Sequence, residues 1–141
     1  MSIKEIKERI YKYFSTRSEI GFAYLFGSQA KNEAGRLSDI DIAVYLDEKI
    51  DEYKRFDIRL KLIAKAISLL ETDKIDLVIL NDIPLSLPYR VVRDGKIVYC
   101  RDELKRIHFE ARIMTRYFDR KYYYDRHTEL SIEAIAKEGI L

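Results

Sequence analysis

Asp39-Ile40-Asp41-Ile42-Ala43-Val44 alternates charged or small residues with branched apolar ones at a period of two, the period of a β-strand and not of a helix. Asp39 and Asp41 therefore fall on one face of the strand, and Ile40 and Ile42 on the other. Asp is depleted in strands, and like charges two residues apart on one face repel, so the pattern costs energy unless a cation lies between them. Mg²⁺ suits the place, because it is usually held by one or two carboxylates together with substrate phosphates. Read in isolation, the same residues also suit a solvated edge face.

The residues ahead of this strand narrow the choice. Phe22-Ala23-Tyr24-Leu25-Phe26 is an apolar run of strand length that stops abruptly at Gly27-Ser28. Glycine lets the backbone approach an anion closely, and Ser28 offers a backbone N–H and a hydroxyl to phosphate oxygens. Gln29 to Ala34 is expected to form a short helix whose N-terminus faces the same point. Taken alone, Gly27-Ser28 is first of all the mark of an ordinary turn. A third carboxylate follows in Ile75-Asp76-Leu77-Val78-Ile79-Leu80, which reads as a central, fully buried strand interrupted by one charge. If that strand lies beside the Asp39 strand, Asp76 completes a three-carboxylate cluster able to hold two metal ions; read by itself, Asp76 also fits a capping or ion-paired residue at a strand start.

Gly27-Ser28, the paired Asp39 and Asp41, and the later Asp76 between apolar residues resemble the signature of the polymerase-β-like nucleotidyltransferase superfamily. The longer string GSQAKNEAGRLSDIDIAVYL is most similar to minimal nucleotidyltransferase (MNT) proteins, the antitoxin halves of HEPN–MNT toxin–antitoxin pairs. The three elements carry the resemblance together; neither half does so alone. The fold it implies is α+β, a small mixed sheet flanked by helices, with residues 1–100 as the nucleotidyltransferase core and residues 101–141 as a helical C-terminal extension packed on the same domain.

The resemblance also implies a chemistry. Asp39, Asp41 and Asp76 would be catalytic and would ligate two Mg²⁺ ions, and attack on the α-phosphate of ATP would expel pyrophosphate. Gly27 and Ser28 would cradle the outer phosphates, while Lys31 or Arg36 would neutralise the leaving group; both are equally well explained as solvent-facing loop charges. The expected acceptor is a tyrosine of the cognate HEPN ribonuclease toxin, delivered by that partner. Two alternatives remain: a small-molecule nucleotidyltransferase of the aminoglycoside-modifying kind, and a non-catalytic antitoxin that acts by binding.

A chain of 141 residues suits one domain, and 48% hydrophobic with 35% charged residues is the composition of a globular protein. A net charge of +2 gives no mandate for nucleic-acid binding. No apolar run reaches the roughly 18 residues that span a bilayer, and Ser2-Ile3-Lys4-Glu5 is no signal peptide, so a cytoplasmic location is expected. Cys100 is the single cysteine; no internal disulfide can form, and its place at the end of an apolar run predicts plain packing.

The remaining elements follow from periodicity. Ser2 and Glu5 form a capping box ahead of Ile3, Ile6, Ile10, Tyr13 and Phe14. Phe56, Leu60, Ile63, Ala64, Ile67 and Leu70 predict the apolar stripe of a long helix, a crossover that favours parallel strands on either side of it. Pro84 and Pro88 frame a short helix stopping at Gly95, and Lys96 to Cys100 reads as a short edge strand. From Asp102 onward the tail is helical, with Leu104, Ile107, Ala111, Met114 and Phe118 as its inner stripe and His108 on the inner face. Tyr117, Tyr122, Tyr123 and Tyr124 cluster beside Arg116, Arg120, Lys121 and Arg126, which suits either a partner-docking face or aromatic packing at a helix end. Arg120 and His127 have the spacing of a HEPN ribonuclease motif without the helical bundle that motif requires, so His127 is read as a surface residue.

Overall fold

The computed structural model describes residues 1–27 and 39–137. In chain order these form α1 (Ile3–Phe14), β1 (Ile20–Phe26), β2 (Ile40–Leu46), α2 (Glu52–Leu70), β3 (Ile75–Ile79), a 3₁₀ turn (Leu80–Asp82), α3 (Ser86–Asp94), β4 (Lys96–Cys100) and α4 (Glu103–Lys137). The strands make one mixed sheet in the order β3-β2-β1-β4. β1 pairs antiparallel with β2 and with β4, and β2 pairs parallel with β3. A helical connection between two neighbouring strands leaves them parallel, and α2 supplies it. The expected α+β architecture is the one found.

Local signals set the helix ends. The Ser2 hydroxyl accepts from the Glu5 backbone N–H at 3.2 Å, opening α1 as the sequence predicts. Asp51 does the same for α2 through the Lys54 N–H at 2.9 Å, and α2 closes on Glu71 in the left-handed region at φ 55°. α3 begins before Pro88 rather than after it, with Pro88 inside the first turn, where a missing N–H leaves no helical bond unmade.

Each face of the sheet carries its own core. Ile40, Ile42, Val44 and Leu46 of β2, with Leu77 and Ile79 of β3, pack on Ile6, Ile10 and Phe14 of α1 and on Leu62 and Leu70 of α2. The alternate residues Phe22 and Tyr24 of β1 and Ala43 and Tyr45 of β2 face Tyr89 and Val91 of α3 and Phe109 and Ile113 of α4. That second core is aromatic: the Phe22 and Tyr45 rings stack at 4.6 Å, and Phe109 tilts against both. The buried Tyr24 hydroxyl donates to Glu110 at 2.6 Å, and Arg106 closes on the same carboxylate at 3.0 Å.

Three sequence expectations are corrected. β3 is an edge strand of the described sheet, not a central one, and Asp76 is exposed; its apolar content comes from packing under α2, not from strands on both sides. The buried face of α2 is Leu62, Ala66 and Leu70, while Phe56, Leu60, Ala64 and Ile67 are exposed. In α4 the buried positions are Phe109 and Ile113, and Leu104, Ile107, Ala111, Phe118 and His108 face solvent. Both helices carry two apolar stripes, and periodicity cannot rank them. Beyond Tyr117, which stacks on Tyr89 at 3.5 Å, residues 118–134 of α4 are all exposed.

Candidate active site

Parallel pairing of β2 and β3 sets Ile40 opposite Ile75 and Asp41 opposite Asp76. Paired strands lie about 4.8 Å apart, so the two carboxylates leave neighbouring strands side by side on one face. That face is the aromatic one, since Asp41 shares the parity of Ala43 and Tyr45. Asp39 lies just ahead of β2 and is exposed. The Ile40 N–H donates to the Lys74 carbonyl at 2.9 Å, tying the entrances of the two strands together. At the far end, the Asn81 amide donates to the Leu46 carbonyl at 2.9 Å and accepts from the Leu46 N–H at 3.0 Å. The side chain thus stands in for one more residue of β3 and locks the register that pairs Asp41 with Asp76. Sequence reasoning missed Asn81; its signal is an amide placed directly after an aliphatic strand.

Gly27 closes the site from β1. It follows Phe26, which lies opposite Asp41, and its φ of 70° belongs to glycine. A Cβ built on Gly27 would collide with the Asp41 carboxylate. The sheet therefore needs no side chain at this position for two independent reasons.

Among the described residues, like charge accumulates at Asp41 with no cation to offset it. The Asp41 carboxyl is pushed above the ordinary carboxylate range, first by partial burial, then by repulsion from Asp76 and from Asp39. Among the described residues no group of three or more His, Cys, Asp or Glu side chains is close enough to hold a metal ion by itself. Oxygen donors with mutual repulsion are nonetheless the right chemistry for a hard cation, and Mg²⁺ takes most of its shell from water and phosphate oxygens rather than from an all-protein cage. The carboxylates thus fit such an ion as a partial ligand set. Ser28, Lys31 and Arg36, expected to bind the nucleotide, lie outside the described residues, as does the helix expected over Gln29 to Ala34.

The family model for polymerase beta nucleotidyltransferases matches residues 8–104, a span that holds Gly27 and all three aspartates. The chain belongs to that family. Solved structures share the nucleotidyltransferase's fold along its whole length. A chain of the tri-AMPylated Shewanella oneidensis HEPN toxin in complex with its MNT antitoxin aligns with a TM-score of 0.62 at 24% identity, covering 99% of both chains. A toxin–antitoxin structure with AMP-PNP aligns at 0.61 and 24% identity over 100% of both, and an MntA–HepT toxin–antitoxin structure at 0.61 and 24% over 98% of this chain and 99% of that one. At such identities the likeness is one of fold. No curated protein matches the chain.

The other polar features are structural. Cys100 is half-buried, and burial pushes its thiol up, away from reactivity. Among the described residues no helix is long and apolar enough to cross a membrane.

Proposed function

We propose that this nucleotidyltransferase is an antitoxin that transfers AMP from ATP to a tyrosine of a HEPN ribonuclease toxin. The observation that carries the reading is the Asp41–Asp76 pair beside Gly27, in a fold shared end to end with chains from toxin–antitoxin complexes. One of those complexes holds an AMPylated HEPN toxin, and another holds AMP-PNP.

In the reaction the tyrosine oxygen attacks the α-phosphorus and a new P–O bond forms. The bond from that phosphorus to the α–β bridging oxygen breaks, pyrophosphate departs, and the phenolic proton is lost. Asp39 and Asp41 would hold one Mg²⁺, and all three carboxylates a second. When bound, Mg²⁺ neutralises phosphate charge and lowers the pKa of the attacking hydroxyl. The pairing of β2 with β3 sets Asp41 and Asp76 side by side on neighbouring strands, which would spare the protein reorganisation at the moment of transfer. Gly27 leaves room for the phosphates to approach the backbone, Ser28 donates to their oxygens, and Lys31 or Arg36 offsets charge on the departing pyrophosphate. Asp76 also assists removal of the phenolic proton.

Intact-mass spectrometry of the HEPN protein co-expressed with this chain tests the proposal. Mass gains in whole AMP units that require ATP and Mg²⁺, and that vanish with Asp41→Asn, support it. An unmodified toxin that is nonetheless neutralised by Asp41→Asn would replace it with masking by binding alone.

A further inference from the structure

On α4, Phe109, Arg112, Ile113 and Arg116 fall within about 100° of arc, because the helix turns once in 3.6 residues. Phe109 and Ile113 are buried against the sheet, and the two arginines border them, exposed. Beside this edge the chain leaves a cleft of about 400 Å³ between α4 and the segment that joins β3 to α3. Leu80, Phe109 and Ile113 line its depth, Ile83 and Leu85 its other side, and Arg112 and Arg116 belong to the same lining.

The charge of the cleft is one-sided. Two cations line it and no carboxylate does. Arg112 lies beside the Tyr45 hydroxyl and 5.9 Å from the centre of the Phe109 ring. Among the described residues Arg116 has neither a hydrogen bond nor an ion pair. The acids nearby are engaged elsewhere: Glu48 accepts from the Tyr45 hydroxyl at 2.8 Å and pairs with Lys105 at 3.6 Å, and Asp82 pairs with Arg55 at 2.7 Å. Asp119, one turn beyond Arg116, does not line the cleft. Two guanidinium groups one helical turn apart can share the oxygens of a single phosphate, and an apolar depth beside them takes a flat ring. The cleft therefore suits an anion with an apolar body.

Its position narrows the choice. The cleft lies on the face of the sheet that carries the carboxylates, with Tyr45 four residues beyond Asp41 on β2, about 13 Å away. In the proposed reaction the ATP phosphates belong at the carboxylate end. Pyrophosphate has the charge but no ring, and unmodified tyrosine has the ring but no charge. The adenylylated tyrosine has both, because its phosphodiester carries one negative charge between a phenol ring and an adenosine.

We propose that this cleft is a product subsite, in which Arg112 and Arg116 hold the phosphodiester of the adenylylated tyrosine and the apolar residues hold one of its rings. It rests on the reading of adenylyl transfer and adds to it a preference for modified over unmodified acceptor.

Isothermal titration of the full chain in EDTA tests it, with the adenylyl ester of N-acetyltyrosinamide as the probe. The ester should bind about tenfold tighter than free AMP, which lacks the second ring, and N-acetyltyrosinamide should bind more weakly still. Arg116→Ala and Arg112→Ala should each weaken ester binding by about tenfold, and Arg116→Lys, which keeps the charge but loses the fork, by less. Arg120→Ala, outside the cleft, should leave it unchanged, and so should Asp41→Asn if the ester sits away from the carboxylates. Circular dichroism checks the fold of each variant. Ester binding indifferent to both arginines, free AMP bound as tightly as the ester, or no ester binding up to about 1 mM overturns the subsite. If the ester binds through the arginines while the HEPN protein gains no AMP by mass spectrometry, the transfer reading is what fails, and the assignment of the cleft to its product falls with it.

Discussion

β2 presents two very different sides. Ile40, Ile42, Val44 and Leu46 lie against α1 and α2 in a dry aliphatic layer, none more than 6% exposed. On the reverse, Tyr45 and Ala43 are covered by the aromatic layer, and Asp41 falls where that layer ends. One side fixes where the strand lies, and the other spends that rigidity on carboxylates that repel each other. Charge is tolerated there because it sits at the strand's entrance, half-wet, with the backbone held from behind.

The largest expected effect breaks the working side alone. Asp41→Asn keeps size and register but removes the charge, and should slow adenylyl transfer by about 10³-fold, the equivalent of about 4 kcal/mol of transition-state stabilisation. Initial rates of AMP incorporation into the HEPN protein measure it, with circular dichroism as the check on folding. A variant with near-normal rates would remove Asp41 from the chemistry.

Next comes the converse change, on the dry side. Leu62 is fully buried between α2 and the sheet, and Leu62→Ala should cost about 2–5 kcal/mol in urea unfolding, through lost burial and the cavity left behind. The rate per folded molecule should stay close to normal. If it fell as far as in Asp41→Asn, the two sides would not be separable.

Gly27→Ala should lie between these in kind and below both in size. A side chain there meets the Asp41 carboxylate and an unfavourable φ, so about 1–2 kcal/mol of stability should go. Activity should fall as well, because the carboxylate must move. Thermal unfolding and the transfer assay together show whether the glycine serves backbone, site or both.

How much of this the sequence discloses depends on the physics of each element. The apolar run Phe22 to Phe26 lies within β1, which ends at Phe26 as the run does, because an abrupt end at glycine is a local signal. The period-two run places Asp41 on its face without reference to anything distant, and the crossover through α2 predicts the parallel neighbour that brings up Asp76. Neighbours settle what the pattern cannot. The aliphatic content of Ile75 to Ile79 reads as a central strand, although one side of β3 in the described sheet is an edge where Arg59 donates to the Leu77 carbonyl at 2.8 Å. Phe56, Leu60 and Ile67 have as good a helical period as Leu62, Ala66 and Leu70, and the choice between them is made by the shape of the sheet. The same ambiguity in α4 exchanges Leu104 and Ile107 for Phe109 and Ile113. A helix with two apolar stripes is ambiguous in sequence because its neighbours decide which of them is covered.

The smallest effect sharpens the comparison most, because it asks whether the site itself costs stability. Burial, then Asp76, then Asp39 hold the Asp41 pKa above its ordinary 3.8, so the folded chain favours the protonated carboxyl. Its contribution to stability is then fullest below pH 3.8 and is lost as pH rises through the raised folded value, after which the curve is flat. At neutral pH, without divalent metal, Asp41→Asn should therefore melt slightly higher than the native chain, and the gap should close on acidification. Mg²⁺ should raise the native melting temperature by binding the folded form and leave Asp41→Asn nearly unmoved. Melting curves over pH, with and without Mg²⁺, read all of this at once. A native chain more stable than Asp41→Asn at neutral pH in the absence of metal would mean that the carboxylate has a stabilising partner, and that the working side is held together by its charge instead of strained by it.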